Sequence, residues 1–129
     1  MARKSKSKQL VWSTTDFYGN LVVLGQVTWS DHVLVEHPAM LGYEELVKSV
    51  IQDPNEIRLS TFQNTAIAFI SEPGVGPRPE GVRALVNFAD MSYEKGSASG
   101  MVVTAYPVDI IKYATPRLGK TIYKRGGRK

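Results

Sequence analysis

The sequence predicts an α+β fold: an N-terminal hairpin, two helices, and then a four-stranded antiparallel sheet. Three observations carry that expectation. Apolar residues repeat with a helical period only between about Thr28 and Gln52, whereas from Glu56 onward they recur at every second position. The two kinds of segment are segregated along the chain rather than interleaved, which argues against βαβ units and for helices packed on one face of a sheet. Finally, 129 residues with 43% hydrophobic and 22% charged content suit one soluble domain with a single core.

The elements follow in order. Gln9 to Asp16 is rich in Val, Trp and Thr, Phe17 to Asn20 supplies Gly-Asn turn chemistry, and Leu21 to Val27 is again aliphatic, which reads as a hairpin. Thr28 followed by Asp31 has the form of a capping box, so a short helix is expected from Trp29 to His37, stopped by Pro38. Tyr43 to Gln52 places Leu46, Val47, Val50 and Ile51 on one face and Glu44, Glu45 and Lys48 outside, and Asp53-Pro54 ends it. Strands are expected at Glu56 to Thr61, Thr65 to Glu72, Val82 to Asp90 and Gly100 to Pro107. The intervening SEPGVGPRPEG precedes no helix and lacks Gly-Lys-Ser/Thr, so it is read as a mobile loop rather than a phosphate loop.

Charge divides the chain into three parts. Residues 1–8 carry Arg3, Lys4, Lys6 and Lys8, and residues 112–129 carry seven further bases and no acid. All 12 acidic residues lie between, against five bases, so a domain at 9–111 with net charge −7 is flanked by a basic N-terminal arm and a basic C-terminal tail. Such arms attract polyanions through a salt-sensitive, sequence-independent term, and equally serve as solubilising ends. No apolar run approaches the roughly 18 residues of a membrane span. With no cysteine and no secretory leader, the expectation is a cytoplasmic protein with no membrane role.

The chemistry-bearing stretch is DHVLVEHP, which holds the only two histidines, His32 and His37. On an α-helix, side chains five residues apart are turned about 140° from one another, so a shared metal is disfavoured and no metal site is expected. Neither a cysteine nor a G-x-S-x-G context offers a nucleophile. Histidine can exchange a proton near neutral pH, and Glu36 lies one turn from His32; His37, next to Pro38, equally fits a helix C-cap, which makes His32 the stronger catalytic candidate. Strict alternation in GMVVTAYP puts Val102, Thr104 and Tyr106 on one face, and the same rule in EIRLST and VRALVNF lets Arg58 and Arg83 share a sheet face with them. Arg donates bidentately to phosphate oxygens and hydroxyls can join it, although Thr and Tyr are also simply good strand formers.

The run VTWSDHVLVEHPAMLGYEELVKSVIQDPNEI, Val27 to Ile57, resembles a segment of phage-associated nuclease domains in the barnase, EndoU, colicin and RelE-like superfamily, and VVTAYP is similar to that group's final-strand motif. The resemblance covers about residues 9–111. It implies a metal-independent, cofactor-free endoribonuclease of phage or prophage origin, acting as a toxin, with RNA such as tRNA as substrate and an antitoxin or immunity protein as partner. The implied catalytic set is His32, His37, Thr104 and Tyr106; Arg58, Arg83 and Lys112 are added as substrate-binding groups from strand geometry and charge. The rival expectations are a non-catalytic nucleic-acid-binding or phage structural or adaptor protein that retains the fold, and a partner-binding protein with no nucleic-acid role.

Overall fold

The computed structural model describes residues 9–60, 66–88, 96, 98–110 and 118–126. The two aliphatic segments around Asp16 to Asn20 form a hairpin, β1 (Leu10–Thr15) and β2 (Leu21–Gly25). Its turn is held by the buried Asp16 carboxylate, which accepts bonds from the Tyr18 amide at 2.9 Å and the Asn20 amide at 2.8 Å, while Gly19 takes a left-handed φ of 95°. Further strands are β3 (Glu56–Ser60), β4 (Ala66–Ile70), β5 (Val82–Phe88), β6 (Ser99–Pro107) and β7 (Leu118–Lys124).

These seven strands make one mixed sheet in the order β1-β2-β6-β5-β4-β3-β7, with two short α-helices. The expected four-stranded antiparallel sheet is therefore overturned, for two physical reasons. The hairpin does not stand apart, because a two-stranded ribbon would leave Val22 and Leu24 in water; β2 instead pairs parallel with the start of β6, Leu21 opposite Ser99 and Val23 opposite Met101. Asn20 fixes this junction: its side-chain oxygen accepts from the Ala98 amide at 2.9 Å. The seventh strand comes from the segment assigned by charge to the C-terminal tail; Ile122 and Tyr123 pack against the core and the strand pairs with β3. Its lysines mark an edge strand, where charge prevents further pairing, rather than a solvated tail.

The helical layer also departs in detail. Thr28–Val33 winds as a π-helix, continues as α1 (Leu34–Glu36), and turns through a 3₁₀ segment, Pro38–Met40, toward α2 (Glu44–Gln52). Thr28 is not the cap: the residue before the π-turn is Val27, and no side-chain cap bond forms. Trp29, Val33 and Met40 join Val47, Val50 and Ile51 of α2 in burying one face of the sheet, lined by Ile57, Ile67, Phe69, Val82, Ala84, Val86 and Phe88. Each of the larger aliphatic and Phe side chains among these contributes about 1.5–3 kcal/mol by leaving water, so this layer is the main stabilising term. The sheet curls around α2: the Trp12 indole N–H donates to the Glu44 carbonyl at 2.9 Å, and the Phe17 ring from one end of the sheet packs 4.4 Å from Tyr123 of β7 at the other.

On the opposite face Ala68, Ile70, Leu85, Tyr106 and Val108 form a smaller cluster with Leu118. The loop SEPGVGPRPEG, read as mobile, is instead tied down. Glu80 N–H donates to the Val108 carbonyl at 2.8 Å, Gly74 N–H to the Pro79 carbonyl at 2.8 Å, and Val82 N–H to Ser71 Oγ at 2.8 Å. Gly81 has φ of +94° and packs so closely that a Cβ would lie 2.6 Å from the Glu72 carbonyl oxygen. Three prolines and left-handed glycines here specify a fixed path. Among the described residues no helix is long and apolar enough to cross a membrane.

Candidate active site

The site is built on the β5–β6 pairing, where Arg83 lies opposite Tyr106 and Leu85 opposite Thr104. The next pair is Val86 with Val102, so an extra residue, Val103, is accommodated in β6 as a bulge. This corrects the strict alternation read from the sequence: Val102 and Ala105 both belong to the helix-side core, while Thr104 and Tyr106 share the other face with Arg83. The bulge re-aims the strand so that two hydroxyls lie together beside a guanidinium.

The helical segment reaches this place because β2 pairs only with Ser99 to Met101, leaving the later part of β6 without a strand neighbour on that side. The chain from Thr28 to Met40 fills the space. His37 caps the end of α1 with φ −136° and ψ 70°, its N–H donating to the Val33 carbonyl at 2.7 Å. Its ring centroid lies 5.6 Å from that of Tyr106, with 36° between the planes. Burial pushes the pKa of His37 down; the neighbouring Glu36 raises it and His32 lowers it, to a smaller extent. At neutral pH His37 is therefore the uncharged imidazole. His32 lies further out, its Nε2 3.8 Å from a Glu36 carboxylate oxygen, with both side chains about half exposed. The histidine given second place by its helix-capping position is thus the one that faces the sheet.

A buried charge and two buried hydroxyls lie on this face. Arg83 is only 6% exposed, and among the described residues no carboxylate lies within ion-pair distance of it. The Thr104 and Tyr106 hydroxyls are buried and find no hydrogen-bond partner among the described residues. Burial pushes the Tyr106 pKa up, and Arg83 opposes this by its charge and by a nearby donor, yet no hydrogen bond of good geometry forms between them. Unpaired buried hydroxyls beside a buried cation are energetically unfavourable, and such groups cluster at functional sites.

One expected binding residue, Arg58, is not part of this cluster. Arg58 shares its sheet face through the row Arg58, Ala68, Leu85, Thr104, but three strand spacings put it roughly 14 Å away. Its Nε donates to the Gly119 carbonyl at 2.8 Å and lies 3.9 Å from Glu56, so it anchors β7. Lys112 lies outside the described residues. Among the described residues no three His, Asp or Glu side chains converge as metal ligands. What the sequence reading missed is an exposed aromatic group, Phe17 with Tyr18 and Tyr123, for which the only signal was a Phe-Tyr pair in a turn.

No protein-family model matches the chain, and no curated protein and no solved structure matches it either.

Proposed function

We propose that this chain is a cytoplasmic, metal-independent ribonuclease whose reacting groups are His37, His32, Arg83, Tyr106 and Thr104. The observation that carries the reading is the His37 ring against Tyr106, on a face where buried Arg83 and two unpaired hydroxyls are gathered. RNA brings its own nucleophile, so such a set is chemically sufficient. His37 takes the proton from the 2′-hydroxyl, whose oxygen attacks phosphorus. Arg83, with the Thr104 and Tyr106 hydroxyls, stabilises charge on the non-bridging oxygens. The bond from phosphorus to the 5′-oxygen breaks, and His32, oriented by Glu36, supplies the proton to that oxygen. The products are a 2′,3′-cyclic phosphate and a 5′-hydroxyl.

The His-Pro segment from Val27 to Ile57 supports the same chemistry by its resemblance to phage-associated nucleases, and with it a toxin role restrained by an antitoxin or immunity protein. A second reading, a non-catalytic nucleic-acid-binding or adaptor protein, is favoured by one observation: the two hydroxyls are closed to solvent and Arg83 is only 6% exposed, so the groups assigned to the phosphate do not stand open at the surface. Incubation with RNA in EDTA separates the two. The ribonuclease reading expects 2′,3′-cyclic phosphate ends and no cutting at a single 2′-deoxy position; intact RNA, or cutting at the deoxy position, would refute it.

A further inference from the structure

Phe17 is 38% exposed and lies outside both buried clusters, yet its ring sits 4.4 Å from Tyr123 and 5.3 Å, edge-on, from Tyr18. Tyr18 and Tyr123 are themselves partly packed against the core, so they hold Phe17 at the surface in a fixed place. The group joins the first turn of the sheet to its last strand. β7 carries the exposed Lys120 and Lys124 on either side of Ile122 and Tyr123, and among the described residues no carboxylate lies within ion-pair distance of either lysine. Arg125, next in the chain, is held by the Asp53 carboxylate and donates at 3.0 Å to the Pro54 carbonyl, fixing the end of the strand. Of the acids nearby, Asp16 is buried and occupied by the Tyr18 and Asn20 donors, and Glu56, opposite Lys124 in the ladder, accepts from Thr121 Oγ1 at 3.2 Å and lies 3.9 Å from Arg58.

We infer that this aromatic and lysine surface is a binding platform for single-stranded nucleic acid, separate from the proposed cleavage cluster. An unpaired strand is the polyanion that also offers exposed flat bases. Bases stack on Phe17 and the Tyr123 edge while phosphates meet Lys120 and Lys124 along the open edge of the sheet. A duplex hides its base faces and can use only the lysines. A purely structural clamp between the two ends of the sheet would need a bulky apolar residue at position 17 but no aromatic one, and that difference makes the inference testable.

The test is fluorescence anisotropy of the full chain with a labelled 2′-deoxy oligonucleotide of mixed sequence, which has no 2′-hydroxyl to react, so binding is read whether or not the cleavage proposal holds. The wild type should bind this strand more tightly than the matching duplex. Phe17→Leu, which keeps an apolar clamp, should weaken binding about tenfold, the scale of losing one stacked base, and Phe17→Tyr should restore it. Replacing Lys120 and Lys124 by Gln should flatten the dependence of log affinity on log salt by about 1.4, from roughly 0.7 per phosphate contact. Unchanged binding by Phe17→Leu, equal affinity for duplex, or no binding by the wild type would overturn the inference.

Discussion

Replacing Tyr106 by Phe should make this protein more stable and less active. The hydroxyl is buried and has no hydrogen bond of good geometry, although the Arg83 guanidinium lies near enough to act on it by charge and as a donor. An unpaired buried hydroxyl costs about 1–3 kcal/mol relative to water, and Phe fills the same ring volume without it. At roughly 4 °C of Tm per kcal/mol for a chain of this length, the expected rise is about 4–12 °C. Thr104→Val, which exchanges a second unpaired hydroxyl for a methyl, should also stabilise. The two residues are neighbours on one face of β6, so their combined effect need not be the sum. Chemical denaturation gives the free energies and calorimetry the Tm. The same variants should cleave RNA more slowly, since donors to the phosphate have been removed. A Tyr106→Phe protein destabilised by more than about 1 kcal/mol would show that the hydroxyl already has a partner, and would remove it as a free donor.

Two further perturbations test other parts of the structure. Because burial lowers the His37 pKa below its ordinary 6.5, its contribution to stability is present above that value and is lost as pH falls through the folded-state pKa. Tm should therefore drop more steeply between pH 7 and pH 5, or about those values, in the wild type than in His37→Gln; parallel curves would contradict the burial of this ring. Asp16→Ala should destabilise by about 3–5 kcal/mol in urea titration, since it leaves the Tyr18 and Asn20 amides and the Asn20 side chain without their acceptor; a loss below about 1 kcal/mol would mean that solvent already serves them.

The local elements were largely legible from residues, whereas their assembly was not. The hairpin, α2 and the four middle strands follow from periodicity and turn chemistry. The parallel join of β2 to β6 is a pairing between residues almost 80 positions apart in sequence, as the Asn20 bond to Ala98 marks, and no local pattern specifies it. β7 was hidden because Lys120 and Lys124 give it the composition of a tail, although the same lysines are what an edge strand requires. The π-turn at Thr28–Val33 was invisible for a related reason: its apolar spacing differs from an α-helix by less than one residue per turn. In the candidate site, alternation located Arg83 opposite the strand of Tyr106, but the bulge at Val103, which separates Val102 from Thr104, depends on how β5 and β6 pair. That His37 rather than His32 lies against Tyr106 is likewise a tertiary fact, set by the gap beside β6 into which the helical segment packs.

The most direct test of the central claim compares wild type and His37→Ala on RNA in EDTA, prepared identically, with added imidazole as a third condition. Loss of the base should slow cleavage by about 10²–10⁴-fold, the usual contribution of such a group, and imidazole should restore part of it while the products keep 2′,3′-cyclic phosphate ends. Cleavage by His37→Ala at the wild-type rate would contradict the assignment.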